Sequence, residues 1–269
     1  MTLIPSLSDA RLSPVRSVLD NGLVVVTSEQ KALPMVTLSL LIEAGSRFEP
    51  AGREGLANLT ADLLTYGTKN RTALQISDTL DFLGATLSTG CSEEAATVSM
   101  TLLKKDLDTG LQLLAEILTA SIFPPEEIDR QKQSIVAAIR AQEEQPGHIA
   151  EVKFMEALFP KSPYGRPVEG TEESVRRVDR EGLIEFYRKY YSPNRAILTL
   201  VGDVSEQEIV ERLGRAFHSW EKGAAPAEAS PLPAAGPATF IKVNKDLTQA
   251  NIIIGGLSDG ILPARKPIT

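Results

Sequence analysis

Cysteine is nearly absent from this chain: Cys91 stands alone. An intramolecular disulfide is therefore impossible, and a thiolate-rich metal site is excluded. Histidine is almost as scarce, with only His148 and His218. The two are far apart, and neither has a serine or cysteine partner in a nucleophile motif. No segment is apolar for long enough to span a membrane. The N-terminus has no basic region followed by an apolar stretch, so no secretory signal is read there and a cytoplasmic location is the default. Basic residues are in the minority, 28 against 35 acidic, for a net charge of -7. That balance argues against nucleic acid as a partner. It is otherwise an ordinary solubilising charge.

What is present is enough for a folded protein. Hydrophobic residues make up 42% of the 269 positions, sufficient for a substantial core in one large or two small domains. Residues 19–27 read as an Asn21-Gly22 turn feeding a β-branched strand. Residues 35–43 alternate partly and read as a second strand, buried on both faces. Residues 55–65 are helical, with Leu56, Leu59 and Leu63 at apolar spacing. Residues 72–83 form an amphipathic helix with Leu74, Ile76, Leu80 and Leu83 on its apolar side, ended by Gly84. A strand, a turn near Ser92-Glu93-Glu94 and a second strand occupy 85–103.

Helices follow over 107–120 and from Pro124-Pro125-Glu126-Glu127 to about Gln145, where Pro146-Gly147 breaks the pattern. A further helical piece covers 149–158, a Pro/Gly loop 162–171, a helix 179–190 and a strand 196–201. Ser205 with Glu208 matches a capping box for a last helix. Residues 221–239 are a Pro/Ala-rich linker, and 240–243 and 250–255 read as two more strands. Interspersed elements with hairpin links predict an α+β fold: a two-layer sandwich, mainly antiparallel sheet with helices packed on one face.

The segment Gly55-Leu56-Ala57-Asn58-Leu59-Thr60-Ala61-Asp62-Leu63-Leu64, with Glu43-Ala44-Gly45-Ser46-Arg47 before it and Gly67-Thr68 after it, resembles the pitrilysin/insulinase (inverzincin) family of zinc metallopeptidases. That family carries H-x-x-E-H on this helix. In register, Asn58 takes the first His position, Ala61 the Glu position and Asp62 the second His position. The resemblance extends in order from about residue 15 to 256. It includes Leu19-Asp20-Asn21-Gly22-Leu23, a Ser162-Pro163-Tyr164-Gly165-Arg166-Pro167 loop with Ser162 in a His place, Tyr190-Tyr191-Ser192-Pro193-Asn194, and Val201-Gly202-Asp203-Val204. The family's third ligand is a Glu on the helix after Phe123-Pro124-Pro125-Glu126-Glu127, and here it falls on Ala137 or Ala138.

Zinc hydrolysis needs three protein ligands, an open position for water and a general base. Every one of those protein positions is changed, so the resemblance implies an inactive member with no metal expected, whereas active relatives hold zinc. It also implies an N-terminal half over 15–220, a linker over 221–239, and the first strands of a truncated second domain over 240–269.

The residues leave other readings open. Asn58 and Asp62 share a helix face and offer two oxygens to a hard cation. The plain alternative is polar residues on a solvated face, with Asp62 in a salt bridge. Glu143-Glu144 are adjacent and diverge, so they read as a charged surface. His148 reads as a cap or surface residue, His218 as a helix C-terminal cation, and Cys91 as a strand residue.

Three functions follow from the resemblance. One is a non-catalytic subunit that binds extended peptide and partners a zinc-containing sister chain or self-associates. Its candidate peptide-binding edge strand is Leu87, Ser88, Thr89 and Gly90. The second is a hydrolase with an atypical metal site. The third is a scaffold.

Overall fold

The computed structural model describes residues 14–225, 239–245 and 249–257. Six strands form one sheet: β1 (Val15–Val18), β2 (Val24–Glu29), β3 (Met35–Ile42), β4 (Thr86–Cys91), β5 (Ala96–Leu103) and β6 (Ala196–Gly202). Their order across the sheet is β1-β2-β6-β3-β5-β4. Every pairing is antiparallel except β2 with β6.

β3, read from the sequence as buried on both faces, is covered on one only, because the helices pack on a single side of the sheet. Val36, Leu38, Leu40 and Ile42 are fully buried on one side, while Met35 and Leu41 are exposed on the other with Thr37 and Ser39. A strand points successive side chains to opposite faces, so burying one set fixes the register of the whole sheet.

Helices cover the buried side. They are α1 (Leu56–Asp62), α2 (Ala73–Leu83), α3 (Leu107–Thr119), α4 (Pro125–Glu143), α5 (Pro146–Leu158), α6 (Glu172–Arg177), α7 (Arg180–Tyr190) and α8 (Glu206–Ala216). Leu59 and Leu63, Leu111 and Leu114, Ile135 and Ile139, Leu183 and Phe186, and Ile209 and Leu213 join the strand residues in one core. Each such aliphatic side chain contributes about 1.5–3 kcal/mol when fully buried. The expected architecture, with helices on one face of a mainly antiparallel sheet, is the observed one.

The C-terminal end of this layer is fastened by polar bonds. Trp220, 4% exposed, donates from Nε1 to the Tyr191 carbonyl at 3.1 Å. Asn21 Nδ2 reaches the Phe217 carbonyl at 3.1 Å. The last helix is thereby tied to the turn before β2 and to the end of α7.

Several local expectations need correction. Pro146 does not simply break the chain; it opens α5 at its first turn, where its missing N–H is no loss. Ser205 caps α8 by accepting from the Glu208 N–H. The Glu208 carboxylate, however, turns to Arg212 at 2.9 Å rather than back to the cap. Leu74 is not on a buried face but 69% exposed, as α2 settles through Ile76 and Leu83.

Residues 240–243 and 250–255 are not strands. No strand of the described sheet pairs with them, and a strand exists only by its pairing. They run as exposed chain, with Phe240 at 89% and Ile254 at 93% exposure. Lys245 Nζ donates to the Glu143 carbonyl at 2.8 Å. Most of the Pro/Ala-rich segment, 226–238, lies outside the described residues.

Candidate functional site

Helix α1 is positioned by its N-terminus. Gly55 stands at φ +90, and a Cβ there would meet the Glu169 carbonyl oxygen at 2.5 Å, so only glycine fits. One turn earlier in the chain, Glu49 is 7% exposed and accepts from the Ala57 N–H at 2.7 Å. Burial pushes the Glu49 carboxyl up to about 8, against the opposing pull of the Ala57 and Gly55 N–H groups. The surrounding loop 162–171 is anchored to the same region. Arg166 pairs with Glu54 at 3.2 Å. Tyr164 donates to Glu94, which also pairs with Arg47 at 2.8 Å.

Asn58 and Asp62 lie one turn apart on one side of α1 and are half-buried, not solvated. Asn58 Nδ2 donates to Asp62 Oδ2 at 3.4 Å. From α4, Gln131 Nε2 donates to the same oxygen at 3.3 Å. Burial raises the Asp62 carboxyl above its ordinary range; the Gln131 bond opposes this, and the charge of Glu169 adds to it. The expected salt bridge is therefore replaced by two amide donors.

Sequence reading missed Gln131. The available signal was helical spacing: Gln131 and Ala138, seven residues apart, share a face of α4, with Ala137 about 100° round. That spacing favours Ala138 as the ligand position. Both alanines are exposed, whereas Ala61 is wholly buried.

This donor set does not fit zinc. It offers one carboxylate already engaged by two amides, an Asn amide and alanine methyl groups, where zinc takes imidazole, thiolate or carboxylate ligands around an open position. Ala61 has no group to take a proton. Among the described residues, no three of His, Cys, Asp and Glu gather in a metal-holding arrangement.

The other candidates are scattered. His148 is in the first turn of α5. His218 Nδ1 lies 2.9 Å from the Arg215 carbonyl, just past α8. Glu143 ends α4 and Glu144 is its cap. Cys91 is in β4, and burial pushes its thiol up to about 12, helped by the charges of Glu49 and Asp62. Such a thiol carries almost no thiolate at neutral pH and is a poor nucleophile.

Beside α1 lies β4, carrying Leu87, Ser88, Thr89 and Gly90. Among the described residues it is the outermost strand, paired with β5 only. Leu87 and Cys91 pack toward the core and the helices. Ser88 and Gly90 lie on the other, helix-free face.

The same framework recurs in known proteins. The sequence profile of the insulinase family (peptidase family M16) matches residues 24–172. This chain belongs to the insulinase family. A second profile, the peptidase M16 inactive domain, matches residues 177–266. Among insulinase-family relatives, an uncharacterized zinc protease of Rickettsia bellii is 31% identical over 239 residues, covering 89% of this chain and 57% of the relative. A protein of Arabidopsis thaliana, named as a probable mitochondrial-processing peptidase subunit beta, is 28% identical over 222 residues, covering 82% and 41%. A solved structure of a peptidase M16 inactive domain from Pseudomonas fluorescens superposes with a TM-score of 0.79 at 26% identity, over 83% of this chain and 54% of that one. The chain thus spans about half the length of the relatives it matches.

Proposed function

We propose that this insulinase-family chain is a non-catalytic subunit that holds extended peptide along β4 and works beside a zinc-containing sister chain. One observation carries the reading. The outer edge of β4, unpaired among the described residues, lies next to α1, while the helix positions that would support hydrolysis bear Asn58, Ala61 and Asp62, and Ala138 stands on α4. Strand addition uses backbone N–H and C=O groups. It therefore survives the loss of every metal ligand. The Arabidopsis relative is named as a subunit, which supports a paired arrangement. In this reading residues 15–220 are one half of the family's fold, and 240–269 belong to the start of the next.

The test is binding of a fluorescein-labelled extended peptide, measured by anisotropy. The peptide is expected to bind without being cut, and N-methylation of alternate backbone nitrogens is expected to abolish binding. Equal binding of the N-methylated peptide, or cleavage by metal-stripped protein, overturns the proposal. Crosslinking in the source cell tests the partner: recovery of a zinc-containing relative is expected, and recovery of the chain alone counts against the pairing.

A further inference from the structure

Gly90 has no backbone reason to be glycine. The glycines at positive φ are Gly22, Gly52, Gly55, Gly67, Gly84, Gly170 and Gly202; Gly90 is not among them, and it pairs in ordinary register with Thr97. A glycine inside a strand weakens it, and such a residue marks a bulge or a place where another chain or ligand comes close. The ladder here runs unbroken from Thr86 to Cys91, so no bulge explains it.

What glycine leaves is a gap on the helix-free face. Gly90 heads a row of directly paired residues that continues through Thr97, Leu41, Ile197 and Val24. Leu41 is 44% and Ile197 45% exposed. None of the row is charged. A Cβ built on Gly90 would stand 3.3 Å from Thr97 Oγ1, tight but not blocked.

We infer that Gly90 is a specificity-determining position that selects a large, uncharged apolar side chain, aromatic foremost, in the bound peptide. This rests on the reading of β4 as a peptide-accepting edge. In an added strand, the residue opposite Gly90 shares its face, with side chains about 4.5–5.5 Å apart. Strands are spaced about 4.8 Å apart. An aromatic ring crosses one such spacing and covers the bare Gly90 backbone up to the Thr97 hydroxyl, which donates to the Gly90 carbonyl at 3.5 Å. It does not reach Leu41, one strand further. A small side chain leaves the gap open, and a charged one finds no counter-charge in the row.

The experiment uses the full chain and fluorescein-labelled Ser/Thr octapeptides with one central guest residue: Phe, Ala, Lys or Glu. Anisotropy titration is expected to give the Phe guest about fivefold tighter binding than Ala, with Lys and Glu no tighter than Ala. Gly90→Val and, separately, Gly90→Ile fill the gap with a β-branched side chain suited to a strand. Each is expected to bring the Phe preference below about twofold while Ala-guest binding persists, which also shows that the variant is folded. A Phe preference absent in the parent, a charged guest binding tightest, or a preference untouched by both substitutions overturns the inference. If all guests bind alike, only the role of Gly90 falls. If none binds, the peptide-accepting edge falls with it.

Discussion

Glu49 makes the stability of this protein depend on pH in a direction unusual for a carboxylate. The perturbation is Glu49→Gln, compared with the parent across pH. The carboxyl is displaced from 4.5 to about 8 because burial strips its solvent. A displacement of that size corresponds to about 5 kcal/mol. The sign follows from proton binding. Below pH 4.5 both folded and unfolded forms carry the proton, and the contribution is fully present. Between 4.5 and about 8 the unfolded chain releases the proton while the native one keeps it, so stability falls as pH rises, by at most about 1.4 kcal/mol per pH unit. Above that range the loss is complete.

Glutamine keeps an oxygen for the Ala57 N–H and never ionises. Urea unfolding at pH 5 and pH 8.5 should therefore show the two proteins diverging, with the parent midpoint falling relative to the variant by roughly 1.5 M or more. The comparison cancels the other carboxylates, including Glu54 nearby and its partner Arg166. Parallel pH profiles for parent and Glu49→Gln would refute the account of α1 as a helix held by a neutral buried acid.

Two further outcomes test the site and its frame. Asn58→His with Asp62→His and Ala138→Glu rebuilds a zinc donor set on two helices, and zinc affinity by competition with a chelating dye should rise at least about tenfold; an unchanged affinity would mean that α1 and α4 are not aligned as described. Gly55→Ala should cost about 2 kcal/mol or more by thermal unfolding, since strain at φ +90 adds to the 2.5 Å clash with Glu169. Gly52→Ala, at φ +82 with nothing within 4 Å, should cost only about 1 kcal/mol. Equal losses would put the whole effect in the backbone and none in the contact.

Much of this was legible from the chain because it is written locally. The strand character of β3 and the cap at Ser205 depend on residues a few positions apart. So does the replaced motif on α1, whose register is a matter of counting. What was not legible depends on distant pairing. Gln131 is 69 positions from Asp62, and nothing near either residue announces that they meet. The burial of Glu49 arises from a fold-back onto α1 that turn chemistry alone does not reveal. Residues 240–243 and 250–255 show the opposite failure. Their β-branched content satisfies the local criterion for a strand, but a strand also requires a partner edge, and that is a property of the whole fold.

Trp220 has a practical consequence. It is the only tryptophan in the chain, and it is bonded to Tyr191 just past the end of α7. Its emission is a built-in optical reporter of global integrity, shielded from water in the native state and released on unfolding. Intrinsic fluorescence therefore reports loss of fold directly, without any introduced label on the protein.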